Sequence, residues 1–313
     1  MLDLRRLRLL RELAHRGTLA AVAEALSYSP STVSQQLSQL EAEAGVALLE
    51  PAGRRVRLTP QAEILVAHTE RILEQLERAQ ADVAASTALV GGEIRVAAFQ
   101  TAVLALLPAA LTVLARDHPR LRVHLTEAEP EQALPALLAR DFDVVVAEEY
   151  PDSPQPRPAE VDVEDLLADP IRLAHPPGRR TPRSQAALAQ LAGHPWAMEP
   201  AGTAARAWAV AVCRKAGFEP DVRYETSDLL LQIRLVEAGH AAAFVPDLAW
   251  NGRRPTVATR PLPKPQAHRR VLTAVRRGHA EHPSVLAVRR ALALARETYT
   301  SLSKTLQEHR KDS

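Results

Sequence analysis

The stretch 17–41 constrains this chain more than any other. Leu19, Val22, Ala23 and Leu26 fall at i, i+3, i+4 and i+7, one face of a helix. Val33, Leu37 and Leu40 repeat that spacing after a polar break at Ser27-Tyr28-Ser29. Ser29 before Pro30 is a helix start: the serine oxygen accepts an otherwise unpaired backbone N–H, and proline at the first helical position loses no hydrogen bond. Two helices joined by a turn of about three residues make a helix-turn-helix. The outer face of the second helix carries Ser31, Thr32, Ser34, Gln35, Ser38 and Gln39, none of them charged. A merely solvated helix displays charge. Short hydrogen-bonding side chains suit base edges in a DNA major groove, glutamine toward adenine and serine or threonine toward any base.

The residues around this pair extend it into a winged fold. Leu4, Leu7, Leu10 and Ala14 form a first helical stripe that packs beneath it. Residues 46–49 and 56–58 read as two short strands, with Ala52-Gly53-Arg54-Arg55 as the turn between them. Arg54, Arg55 and Arg57 on such a wing reach phosphates or the minor groove. Thr59 then caps a long helix with Pro60 at its first position. Leu65, Thr69, Ile72, Leu76, Ala79 and Val83 step by four and three residues alternately, a coiled-coil seam that pairs with a second copy of the chain. The helix breaks at Val90-Gly91-Gly92.

Beyond residue 92 strands and helices alternate, the pattern of a parallel α/β sheet. Strands are expected at 93–99, 121–127 and 142–147, with helices at 103–116 and 131–139. The proline-rich piece 151–158 is expected to be extended and exposed. Near 161–172 the chain crosses into a second subdomain, with strands at 196–199, 222–226 and 242–245 and helices at 204–216 and 229–238. It returns near 260–268 to a strand at 271–276 and a closing helix at 284–300. The charged tail 304–313 is expected to fray. The domain expectation is a DNA-binding unit 1–60, a linker helix 61–91, an effector unit 92–303 and the tail 304–313. Within the effector unit, subdomain one is 92–162 with 267–303, and subdomain two is 163–266.

Ala20-Ala21-Val22-Ala23-Glu24-Ala25-Leu26, Ser29-Pro30-Ser31-Thr32-Val33-Ser34-Gln35-Gln36-Leu37 and Leu40-Glu41 resemble the LysR-type transcriptional regulators. The resemblance continues through Gly45-Val46-Ala47-Leu48-Leu49 and Arg54-Arg55-Val56-Arg57-Leu58-Thr59, and the chain is organised like that family to about residue 300. Weaker matches are Ala216-Gly217-Phe218-Glu219-Pro220 and Gly239-His240-Ala241-Ala242-Ala243-Phe244-Val245-Pro246. The chain departs from the family's Leu-Phe-x-Arg at Leu48-Leu49-Glu50-Pro51, and has Ala62 where glycine is usual and Pro30-Ser31 where Gln-Pro is common. The resemblance implies an α/β fold with an N-terminal all-α winged helix-turn-helix, a long linker helix and a periplasmic-binding-protein-like effector domain of two subdomains. It implies double-stranded operator DNA, a homodimer or homotetramer, a small-molecule effector and RNA polymerase as partners, and no membrane. Its DNA-contacting positions here are Pro30, Ser31, Thr32, Ser34, Gln35, Ser38, Arg54, Arg55 and Arg57.

Charge alone would not reveal a DNA binder: through Pro60 eight arginines face six acids, and the whole chain carries +2. Cys213 is the only cysteine, so an internal disulfide, a cysteine-based metal site and a two-cysteine redox switch are excluded within these residues. The start of the chain lacks the long apolar run of a signal peptide, which points to the cytoplasm. There is no Gly-x-Ser-x-Gly, no P-loop, and no Gly-x-Gly-x-x-Gly after a strand. No catalytic residue, cofactor or metal site is expected. His279 and His282 read as a surface turn, and Glu148-Glu149 as a solvated strand end, with Glu148 able to face the cleft.

Ligands of open α/β sheets bind beyond the carboxyl ends of the strands. That places Phe99, Gln100 and Thr101 on one side of a cleft, and Gly202, Thr203, Ser227, Phe244 and Pro246 on the other. Thr101, Thr203 and Ser227 serve equally well as helix caps. Backbone N–H groups at the helix starts favour an anionic or carboxylate-bearing ligand, with Arg206 able to swing in. The competing readings are an enzyme with an accessory helix-turn-helix and a cytoplasmic solute-binding protein.

Overall fold

Short polar caps start the N-terminal helices. In the computed structural model, which describes residues 1–53, 55–87, 90–151, 158–176, 186–262 and 267–308, the side chain of Asp3 accepts from the backbone of Arg5 and Arg6 and opens α1 (Leu4–Arg16). Thr18 opens α2 (Leu19–Leu26), and Ser29 with Pro30 opens α3 (Pro30–Ala44). Gly45 ends α3 at φ 73°, a left-handed cap that a side chain would strain. The inward stripes bury Leu10, Leu13, Val22, Ala23, Val33, Leu37 and Leu40 in one small core.

The second strand of the wing lies where it is expected, and the first begins three residues later. β1 is Leu49–Ala52 and β2 is Arg55–Leu58, paired from Leu49↔Leu58 to Ala52↔Arg55. Val46 is exposed and precedes the strand. Glu41 is the cause: its Oε1 accepts from the backbone N–H of Leu48 (2.9 Å) and Leu49 (3.1 Å) and holds the chain in a bend there.

Thr59 caps α4 (Pro60–Ala85). The expected seam divides. Thr69 turns inward and is fully buried, with Leu73 and Ala81 on the same side. Ile72, Leu76 and Val83 stay exposed (43, 43 and 68 %), joined by Ile64 (59 %). The inner side lies against α1 and the turn 277–279, where a Cβ on Gly278 would fall 2.5 Å from the Glu74 carbonyl oxygen. Glu70 pairs with Arg11 (2.7 Å) and Glu77 with Arg276 (2.7 Å), fixing the helix to its neighbours.

The rest alternates as the pattern requires: β3 (Gly92–Ala98), α5 (Gln100–Ala105), α6 (Leu107–Asp117), β4 (Leu121–Glu127), α7 (Pro130–Leu138), β5 (Val144–Glu149) and β6 (Val161–His175). The single helix expected over 103–116 is two, broken at Leu106. Pro108 has no N–H to donate to the turn before it. Then come α8 (Ala186–Ala189), β7 (Pro195–Met198), α9 (Ala204–Lys215), β8 (Asp221–Glu225), α10 (Leu229–Glu237), β9 (Ala243–Pro246), β10 (Ala258–Pro261), β11 (His268–Arg276) and α11 (Pro283–Glu308). α11 continues through Glu308, so the first half of the expected frayed tail is helical, while 309–313 and the proline-rich 152–157 lie outside the described residues.

β3 pairs in parallel with β4 and β5, and β11 runs antiparallel to β5. The fifteen-residue β6 belongs to both halves. Val161 to Pro170 pair with β11; Ile171 to His175 then pair with β9 and β10. Ile94, Val96, Val144, Val146, Val271 and Val275 centre one core beneath α6 and α11. Trp196, Trp208, Cys213 and Phe244 centre another in the second half. A crevice lies between them, beyond the ends of β3, β5 and β7. No helix of the described residues is long and apolar enough to cross a membrane.

Candidate DNA interface and ligand cleft

The outer face of α3 is open. Pro30, Ser31, Ser34, Gln35 and Ser38 are exposed, and Thr32 is half-buried. Ser31 and Thr32 each share a hydrogen bond with the Ser29 hydroxyl (2.8 Å), so they belong partly to the cap. Gln36 is turned aside, accepting from Arg6 Nε (3.1 Å). Ser34, Gln35 and Ser38 are left as the free hydrogen-bonding face. On the wing, Arg54 lies outside the described residues, and Arg55 is placed only by its backbone pairing with Ala52. Arg57 is 74 % exposed and donates to Glu50 (2.7 Å) directly across the hairpin. Glu50, next to Pro51 where the family's arginine is missing, therefore neutralises part of the wing.

The cleft is organised by Arg269, which sequence reasoning missed. Its Nε donates to Asp169 (2.9 Å), its Nη2 to the Thr101 hydroxyl (2.6 Å) and its Nη1 to Glu148. The guanidinium carbon lies 4.9 Å from the Phe99 ring centroid, a cation–π contact. Tyr150 donates to the other Glu148 oxygen (2.8 Å). Arg269 is 4 % exposed. Burial pushes the Asp169 carboxyl up to about 6 even with Arg269 beside it. The signal was the strand period: Arg269 shares the parity of Val271, Thr273 and Val275, so a strand extended two residues earlier turns it inward.

Glu148 is therefore buried, and not part of a solvated end. The pair diverges as neighbours on a strand must, Glu149 instead meeting Arg270 (3.0 Å). His279 and His282 meet edge to face with ring centroids 4.6 Å apart on the turn against α4, half-buried, so the expected surface turn is a packed one. Burial drops the His279 imidazole to about 4. No cluster of His, Cys, Asp and Glu with metal-binding geometry occurs among the described residues.

The other expected cleft residues divide by role. Phe99, not Thr101, stands at the start of α5. Gln100 reaches across the crevice, Nε2 to Asp228 (3.0 Å) while Oε1 accepts from Leu229 N (2.9 Å). Thr203 caps α9 through Arg206 N (3.2 Å), while Gly202 is exposed in a left-handed turn. Ser227 is exposed, and Asp228 is the cap of α10 instead. Phe244 and Pro246 line a recess of about 40 Å³ with Tyr150, Trp208 and Glu199. Thr203 lines an adjoining cavity of about 420 Å³ with Glu129, Glu131, Leu134, Glu148 and Leu272.

The expected anionic preference does not survive this geometry. The start of α9 is already filled, because Glu131 accepts from Ala204 N (2.8 Å) across the crevice. Arg206 turns away to the Glu199 carbonyl (2.8 Å) and Glu225 (3.2 Å). Glu129 and Glu199 crowd the space that remains. Burial first, then the neighbouring Glu129 and Glu148 carboxyls, push Glu199 up to about 9. Burial with Glu148 and Glu131 pushes Glu129 up to about 7.

A winged helix-turn-helix joined by a long helix to two α/β halves around a crevice defines an effector-responsive, DNA-binding regulator. Residues 4–63 match the bacterial regulatory helix-turn-helix family of LysR type, and residues 87–297 match the LysR substrate binding domain. The chain belongs to the LysR family. It is 26 % identical to a hydrogen peroxide-inducible genes activator of Pectobacterium carotovorum, over 98 % of this chain and 97 % of that one. It is 24 % identical to the transcriptional dual regulator GltC of Bacillus subtilis, over 86 % and 89 %. Full-length OxyR of Pseudomonas aeruginosa shares the fold at a TM-score of 0.65 and 21 % identity, covering 94 % of this chain and 95 % of that one. The chain is thus a transcriptional regulator and not an enzyme, acting as an oligomer on DNA under control of a small-molecule effector.

Proposed function

We propose that this regulator reads its operator through the outer face of α3 and senses its effector in the crevice between two subdomains. Pro30, Ser31, Thr32, Ser34, Gln35 and Ser38 form the reading face, with Arg54, Arg55 and Arg57 on the DNA backbone. Phe99, Gln100, Thr101, Gly202, Thr203, Ser227, Phe244 and Pro246 bound the crevice. The domains divide at about 60, 91 and 303, with the halves of the effector unit exchanging near 162 and 267. The exposed stripe of Ile64, Ile72, Leu76 and Val83 on α4 pairs with a second copy, and the protein works in the cytoplasm.

The observation that carries this reading is the uncharged, exposed face of Ser34, Gln35 and Ser38 on a helix whose opposite side is fully packed. Gel-shift titration on the DNA upstream of its own reading frame tests it. Saturable binding that survives excess unrelated DNA is expected, and binding that such DNA abolishes would sink the reading. The peroxide response in the names of several relatives does not carry over. Cys213 is the only cysteine here, it is buried, and burial pushes its thiol up to about 12, far from a reactive thiolate. The effector is a reversibly bound small molecule.

A further inference from the structure

Charge around the crevice is out of balance. Glu129 and Glu131 face it from the start of α7, Glu148 and Glu149 from the end of β5, and Glu199 from the end of β7. Glu127, at the end of β4, adds its field to Glu129. The opposing cations are engaged elsewhere. Arg269 on β11 is held by Glu148 and Asp169 of β6, and Arg206 on α9 by Glu225, while the His15 imidazole of α1, which also lines the cavity, is hydrogen-bonded to Glu70 (2.8 Å). Tyr150 faces the same space and is bonded to Glu148. That leaves Glu129 and Glu199 without a guanidinium of their own.

Three further observations point to what fills the space. Glu199 Oε2 is shut off from solvent, meets no hydrogen-bond partner among the described residues, and belongs to a residue lining both cavities. Trp208 is 4 % exposed and lines the recess, and its indole Nε1–H, which also lacks a partner among the described residues, is a donor left for an acceptor atom elsewhere on the same ligand. Tyr150, Trp208 and Phe244 surround that recess with their rings 5.3 and 5.2 Å apart in sequence of contact. Aromatic faces beside an unpaired carboxyl recognise an organic cation, by attraction to the ring quadrupole and by charge pairing. Leu134, Leu138, Leu272 and Ala274 supply an apolar wall in the larger cavity.

We propose that the effector is a small organic cation, a protonated amine on an apolar body, with its charge between Glu129 and Glu199 and its skeleton against Tyr150, Trp208 and the apolar wall. This deepens the crevice reading of the previous section and rests on it. Binding displaces protons. Burial first, and the neighbouring carboxylates after it, raise both Glu199 and Glu129 toward their protonated forms, and an arriving ammonium favours both as carboxylates. Affinity therefore rises with pH until both acids are ionised.

The test uses the full-length protein and three probes of one shape: phenethylammonium, 2-phenylethanol and phenylacetate. Each is titrated by calorimetry at about pH 6 and about pH 8.5, in two buffers of different ionisation enthalpy. The ammonium should bind at least about tenfold tighter than the alcohol, tighter still at the higher pH, with measured proton release, and phenylacetate should not bind. Glu129→Gln and Glu199→Gln should each lose their own share of that pH dependence and most of the affinity, and the double variant should lose the pH dependence altogether. Glutamine matches the protonated acid in shape, and unchanged thermal melting checks that the fold is kept. Ala205→Trp fills the junction of the two cavities. If phenylacetate or the alcohol binds as tightly and Ala205→Trp abolishes it, the crevice stands as the ligand site and the cation is wrong. If the ammonium still binds Ala205→Trp with wild-type affinity, both readings fall. No binding by the ammonium overturns the proposal.

Discussion

The two proposed recognition surfaces of this regulator are built in opposite ways. The face of α3 is contiguous in sequence, solvated and uncharged: Ser31 to Ser38 lie within three turns of one helix. The crevice gathers Thr101, Glu129, Glu148, Asp169, Glu199 and Arg269 from segments up to 168 residues apart, and most of its polar atoms are buried and ionisable. The first surface lies outside the packed core, so its side chains can change without disturbing the fold. The second is part of the core it sits in. Substitutions on α3 should cost binding alone, while those in the crevice should cost stability as well.

The largest effect should come from Arg269→Met. It removes the guanidinium that Glu148 and Asp169 share, and breaking a buried ion pair by deleting one partner costs about 3–5 kcal/mol. Urea unfolding measures it. A loss below about 1 kcal/mol would show the network to be solvated and the contrast with α3 overdrawn. Leu76→Asp should come next. Leu76 is exposed in the single chain, so folding should be unchanged, while a charge enclosed by a partner helix should cost association at least about 2 kcal/mol. Light scattering reads the mass; an unchanged mass would move the pairing surface off α4.

Gln35→Ala should leave melting untouched and weaken operator binding by about 1–3 kcal/mol, relaxing preference at one base position. Equal affinity across a randomised-site library before and after the change would mean that α3 presents another face. The smallest effect should be Glu50→Gln. Freed of its partner across the hairpin, Arg57 should tighten DNA binding by about 0.2–1 kcal/mol, with a steeper dependence on salt. Fluorescence anisotropy at two salt concentrations resolves it, and weaker binding would show that Glu50 orients Arg57 toward the backbone.

What the chain reveals by itself is what depends on near neighbours. The caps at Thr18, Ser29 and Thr59, the stripes of α2 and α3, and the alternation beyond residue 92 all act within a few residues, and local patterning records them. The first wing strand starts three residues later than its pattern suggests because Glu41 reaches forward to Leu48 and Leu49, a side-chain contact that no period encodes. The apolar stripe on α4 divides for the same kind of reason. An apolar stripe announces burial but not against what, and Thr69 went inward to α1 while Ile72 and Leu76 stayed out. Phe99 and Thr101 follow the end of β3 as the pattern requires, but no local signal shows what they touch. Only the pairing of β11 with β5 and β6 brings Arg269 over them and sets Glu148 and Asp169 at its sides. The charge of the crevice followed from that assembly. A helix start promises room for an anion in isolation, but folding delivered Glu131 to one such start and crowded Glu129 against Glu199, because burial and like-charge repulsion are properties of the space between segments and of no segment alone.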